Sequence, residues 1–122
     1  MKTYTLTYDD TVPSMNRMSR NSHWEYTKAK KRWTTIFTGL LRPASWPFEF
    51  DGKVTATAEL TFPTRHRRDL DNYWLTGKAL GDALVKNGFI PDDTPEFYEM
   101  KTLRFNPIRG RSRTTVTLEV SP

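Results

Sequence analysis

Apolar residues alternate with polar ones near both ends of the chain and once in its middle; between these stretches they recur at three- and four-residue steps. Lys2–Tyr8 sets Tyr4, Leu6 and Tyr8 on one face and threonines on the other, which predicts a strand. A polar loop with Pro13, Asn16 and Asn21 follows. The period then lengthens. Ala29, Trp33, Ile36, Phe37, Leu40 and Leu41 predict a helix over residues 24–41, with Ser22 as N-cap and Glu25 in capping-box spacing. Pro43, Trp46 and Pro47 mark a connection. Lys53–Phe62 is the clearest strand, alternating Val54, Ala56, Ala58, Leu60 and Phe62 with polar residues until Pro63. Residues 71–86 predict a second helix, capped by Asp71 or Asn72 and stopped by Gly88. Residues 97–105 and 113–120 predict two more strands. Asn106-Pro107 and Gly110 between them predict an antiparallel hairpin. The order β-α-β-α-β-β predicts one α/β domain of the α+β type over residues 1–122, a mixed sheet with helices packed on it.

Length and composition narrow this picture. A chain of 122 residues has room for one modest core, and its sixteen aromatic residues supply much of the core mass. No apolar run approaches the length of a membrane span, and the N-terminus lacks the apolar stretch of a secretion signal. The absence of cysteine excludes disulfides, thiolate nucleophiles and cysteine-ligated zinc, and fits a reducing cytoplasm.

Charge is unevenly spread over the net +5. Residues 1–42 carry eight Lys/Arg against three Asp/Glu (+5), residues 43–100 six against ten (−4), and residues 101–122 five against one (+4). Basic flanks around an acidic centre suit a polyanion whose backbone is held on both sides and presented to the centre, although a solvated basic surface gives the same count.

The acidic centre holds the candidate chemistry. Asp69 and Asp71 stand two apart within Arg67-Arg68-Asp69-Leu70-Asp71-Asn72, on one face of an extended segment, and Asp92-Asp93 lies about one helix further on. Like charges that close repel unless a hard cation such as Mg²⁺ lies between them, and the neighbouring arginines suit phosphate. The structural alternative makes Asp71 a helix cap, Asp69 a partner of Arg67 or Arg68, and Asp92-Asp93 ordinary turn residues. Lys78 lies two helical turns past Asp71, close to its face, and leans toward the N-terminus. It is also placed for an i, i+4 ion pair with Asp82. Gly77 and Gly81 weaken the second helix, which predicts close approach of the domain's own sheet or of a second subunit, the sheet being favoured. His23 and His66 lack metal-ligand spacing.

The motifs Arg67-Arg68-Asp69-Leu70-Asp71-Asn72, Lys78, Asp82-Ala83-Leu84, Gly88 and Asp92-Asp93, with Val12-Pro13-Ser14-Met15-Asn16-Arg17 near the N-terminus, closely resemble the RusA family of Holliday junction resolvases. These are small, often phage-encoded, Mg²⁺-dependent endonucleases. The resemblance spans most of the chain and matches residues 44–59 only as a generic strand region. It implies catalytic, metal-binding roles for Asp69, Asp71 and Asp93, a catalytic role for Lys78, and a homodimer that binds four-way junction DNA. Five residues separate Asp-Asn from Lys78, where the best-known member has two. A three-residue insertion near the helix start accounts for the difference.

The expected function is therefore Mg²⁺-dependent resolution of four-way DNA junctions by paired nicks in the cytoplasm (the host's, for a phage-encoded chain). Asp69, Asp71 and Asp93 hold the metal and Lys78 stabilises charge on the phosphate. Arg17, Lys28, Lys30, Lys31, Arg65, Arg67 and Arg68 hold the DNA backbone. The alternatives are a flap or other branched-DNA nuclease, and a non-catalytic protein that binds junctions or single strands. Gly77, Gly81, Tyr73 and Trp74 are the candidate residues for a dimer interface.

Overall fold

Threonines cover one side of the sheet and aliphatic residues the other, and that division sets the architecture. The computed structural model describes residues 2–14, 23–41, 46–47, 49–64, 68 and 73–122, with His23 described in its backbone only. The elements are β1 (Lys2–Tyr8), α1 (His23–Leu40), β2 (Lys53–Phe62), α2 (Leu75–Lys86), β3 (Tyr98–Pro107) and β4 (Arg113–Ser121). This is the expected β-α-β-α-β-β order of an α+β domain. The sheet order is β1-β4-β2-β3; β1 and β2 both run antiparallel to β4, and β2 runs parallel to β3.

Register explains the two faces. Leu6 pairs with Val116 and Val116 with Ala58, and all three are buried. One residue along, Thr5 pairs with Thr117, Thr117 with Thr57, and Thr57 with Thr102, a threonine row across all four strands. Glu59 lies on that polar side with Arg104, 3.6 Å away. Trp33 and Phe37 of α1 and Leu75, Ala79, Leu80, Ala83 and Leu84 of α2 are buried. Burying each large side chain contributes about 1.5–3 kcal/mol.

The expected hairpin between the last two strands does not form. β3 and β4 lie on opposite edges of β2. The turn signals correctly marked a reversal, and Gly110 adopts φ 77°. The linking residues 108–112 are, however, long enough to cross one intervening strand, since two strand spacings come to about 10 Å. A register shift in β3 opposite Ala56/Thr57 leaves Lys101 as an extra residue. Met100 pairs with Ala56 and Leu103 with Ala58, so both face the helices although three positions separate them. β3 is an edge strand, and a bulge with a lysine there discourages further pairing.

The second helix starts later than expected. Its N-cap is Trp74, with no side-chain cap bond, rather than Asp71 or Asn72, which lie outside the described residues, as does Ser22. Its end matches the expectation at Gly88. Gly88 N–H donates to Val85 O at 3.0 Å and Phe89 N–H to Leu84 O at 2.9 Å, with φ 78° at Gly88. This is a Schellman stop, sealed by buried Leu84 and Phe89. The two helices run side by side in the same direction: Tyr26 meets Trp74, Lys30 meets Asp82, and Thr38 meets Asn87.

Candidate active site

Asp93 returns to the middle of α2 because the chain is anchored on both sides of it. Before it, Phe50 N–H donates to Phe89 O at 2.9 Å. After it, the N–H groups of Phe97 and Tyr98 both donate to Thr94 O at 2.9 Å, and Val54 N–H donates to Phe97 O to begin the strand pairing. The Asp93 N–H donates to the Asp92 carboxylate at 2.8 Å, which fixes the turn. Asp93 itself is exposed and makes no side-chain ion pair among the described residues.

Asp93 and Lys78 line one cleft of about 640 Å³, walled by the first turns of α2 and by β3 and including Trp74, Tyr98, Met100 and Leu103. Asp93 thus shares one cleft with Lys78, while Asp69 and Asp71, its expected partners, lie outside the described residues. Lys78 is exposed there. It does not pair with Asp82 as its i, i+4 spacing allowed. Asp82 instead meets Lys30 of α1 at 3.0 Å. That hydrogen bond raises the Lys30 ammonium above its usual range, with smaller contributions from Tyr26 and Asp93, while burial opposes the shift. Lys30, expected to hold DNA backbone, is thus engaged within the domain.

The two helix glycines serve the domain's own sheet, as favoured from the sequence. A methyl group at Gly81 would lie 3.0 Å from the Tyr98 ring and 3.4 Å from the Asp93 Cβ; one at Gly77 would meet Met100 at 3.3 Å. The Gly77/Gly81 face is therefore not available as a dimer interface. Tyr73 is buried too, packed on Phe62 and Phe105 at 5.2 and 5.5 Å. Of the residues considered for an interface, only Trp74 is exposed.

These contacts separate the two glycines experimentally. Gly77→Ala gains about 1 kcal/mol of helix propensity against a contact of 3.3 Å with the Met100 Cβ on an edge strand, and its stability is expected to stay within about 1 kcal/mol of the parent. Gly81→Ala presses on a buried ring and on the Asp93 loop, at an overpacking cost of about 1–3 kcal/mol. Its melting temperature is expected several degrees below that of Gly77→Ala. Equal melting temperatures would show that the Tyr98 contact yields freely.

Tyr98 ties the walls together. Its hydroxyl donates to Gly77 O at 2.8 Å, linking β3 to the first turn of α2 next to Lys78. Burial, reinforced by the Asp93 and Asp82 carboxylates, raises the phenol well above its ordinary value, so it remains a donor at neutral pH. Tyr98→Phe is expected to cost about 1 kcal/mol, read from urea denaturation. No loss would mean the bond contributes nothing net.

Arg68 lies over the Phe62 ring at 4.0 Å and donates to Thr64 O at 2.9 Å and Thr64 Oγ1 at 3.0 Å. Lys28 and Lys31 are exposed on α1, Lys28 lying 5.0 Å from the Trp24 ring. Asp69, Asp71, Arg17, Arg65 and Arg67 lie outside the described residues, as does His66. Among the described residues no three carboxylates or histidines converge, and Asp93 alone represents the proposed ligand set. Its chemistry suits the role: an exposed carboxylate offers oxygen donors of the kind a hard cation takes. Sequence reading missed the Tyr26–Trp74 stack, with centroids 5.5 Å apart. The signal was Trp74 itself, a large aromatic at the helix start on no apolar stripe. No helix among the described residues is long and apolar enough to cross a membrane. No family model matches this chain, and no curated protein is significantly similar to it.

Proposed function

We propose that this chain is a Mg²⁺-dependent, structure-specific endonuclease of the RusA type that resolves four-way DNA junctions by paired nicks in the cytoplasm. The observation that carries the reading is the meeting of Lys78 and Asp93 in one cleft. Asp69 and Asp71 complete the proposed ligand set. They precede Tyr73 and Trp74 in the chain, and Trp74 lines that cleft. When bound, the ion polarises a phosphate and lowers the pKa of a water. Lys78 holds a non-bridging phosphate oxygen and stabilises negative charge as it builds. Lys28 and Lys31 contact the flanking backbone without reading sequence. A homodimer gives two such sites for a substrate with approximate two-fold symmetry.

A second reading is a DNA-binding protein without useful cleavage. Trp24, 67% exposed beside Lys28, favours it, because exposed aromatics among cations suit single strands. One assay separates the readings: Mg²⁺-dependent cleavage of a four-way junction, a flap and a linear duplex. Symmetric nicks in the junction alone support resolution. Preferential flap cutting moves the assignment within nucleases, and binding without cleavage selects the second reading.

A further inference from the structure

We propose that Trp74 is a stacking platform for an unpaired nucleobase, and that it gives the cleft its preference for branched over continuous DNA. The inference rests on the endonuclease reading and adds to it the feature of the substrate that the site recognises.

Trp74 is 40% exposed, a large fraction for a tryptophan at the start of a helix whose following residues Leu75, Thr76 and Gly77 are all buried. Its ring is held in place. Tyr26 of α1 packs on it at 5.5 Å with 35° between planes, and Trp74 N-caps α2, its carbonyl accepting the N–H groups of Gly77 at 3.1 Å and Lys78 at 3.3 Å. A ring backed by a second ring loses little freedom when a third lies against it. The same residue lines the cleft that contains Lys78 and Asp93.

Charge argues for a nucleotide rather than an apolar side chain as the occupant. Lys78 and Lys101 border the cleft and are exposed, as are the carboxylates of Asp93 and Glu99. Glu99 is paired with Lys53 at 2.9 Å and Asp93 is the proposed metal ligand, which leaves the two ammonium groups for a phosphate attached to the stacked ring. An apolar peptide brings no anion for these ammonium groups. In continuous duplex the bases are stacked on one another and a phosphate enters without its base. At a branch point the terminal pair lacks a stacked neighbour on one side, so a base there turns out onto Trp74 at lower cost than one inside a duplex, and its 3′ or 5′ phosphate then falls toward Lys78. Stacking tolerates any base, because every base has a π-face.

The test uses a four-way junction carrying 5-iodouracil at the branch point, bound to the full chain in Ca²⁺ in place of Mg²⁺, irradiated, and mapped by mass spectrometry. The expected crosslink is to Trp74 or its stacking partner Tyr26. It is read on the unmodified protein, so it does not depend on any variant folding. In parallel, Trp74→Leu is expected to lower the ratio of junction to duplex affinity roughly tenfold or more, and Trp74→Phe to retain most of it. A crosslink elsewhere, or an unchanged ratio in folded Trp74→Leu, overturns the platform and leaves the endonuclease reading standing. No binding of any DNA by the unmodified chain overturns both.

Discussion

Asp93→Asn is expected to lower cleavage of a four-way junction about a hundredfold or more while leaving binding as tight as in the parent or tighter. Outer-shell partners of metal ligands already cost roughly 10- to 100-fold when removed, and a direct ligand should cost at least as much. The substitution keeps shape and exchanges one oxygen for an amide nitrogen that a hard cation takes poorly. Asp93 is exposed and has no ion-pair partner among the described residues, so stability should change by no more than about 0.5 kcal/mol. Losing a negative charge near phosphate favours binding. Asp92→Asn is the control. Its carboxylate accepts the Asp93 N–H, an interaction an amide oxygen can replace, so its effect should be much milder. Asp69→Asn and Asp71→Asn are expected to behave as Asp93→Asn does. Single-turnover cleavage and junction binding, measured side by side, check all four variants. A parental rate in Asp93→Asn removes it from the site.

Much of the fold was legible because its signals are local. The period-two alternation of Lys53–Phe62 and the Gly88 stop act over a few residues, and both stand in the structure. The hairpin failed because pairing of β3 with β2 rather than β4 is decided by the α2 crossover and by which edge of β2 remains open, neither of which a turn sequence encodes. The strand period broke at Lys101 for a related reason. Met100 and Leu103 share a face only because a bulge lies between them.

The site was legible in part. Glycines at 77 and 81 signalled close approach, and Tyr98, Met100 and Asp93 supply it. That signal is also why the cleft exists: a helix without side chains there lets β3 and the Asp93 loop lie close to Lys78. The partner of Asp82 was misread, since i, i+4 spacing names a neighbour on the same helix and says nothing of a second helix. Lys30 reaches Asp82 because α1 lies alongside α2, a tertiary fact. The Tyr26–Trp74 stack was hidden for the same reason.

The Lys30–Asp82 pair also changes what salt dependence should look like. Junction affinity is expected to fall about 10³-fold between 50 and 200 mM salt, because even six phosphate contacts give a log–log slope of about −5. The basic surface of α1 supplies part of this, but its lysines are not equivalent. Lys28 and Lys31 are exposed, and neither is in an ion pair among the described residues. Lys30 lies 3.0 Å from Asp82, and the side chains are 35% and 33% exposed. Its charge is largely cancelled before any phosphate arrives. Lys31→Ala should therefore flatten the slope by about 0.9, as should Arg67→Ala, whereas Lys30→Ala should leave it nearly unchanged and cost no more than about 1 kcal/mol of stability. Titrations at four salt concentrations, with thermal melts of each variant, give both quantities. A slope near zero for the unmodified chain would show that DNA is not the ligand. A slope flattened as much by Lys30→Ala as by Lys31→Ala would show that Lys30 leaves Asp82 for phosphate, freeing a second carboxylate beside Asp93 when the substrate binds.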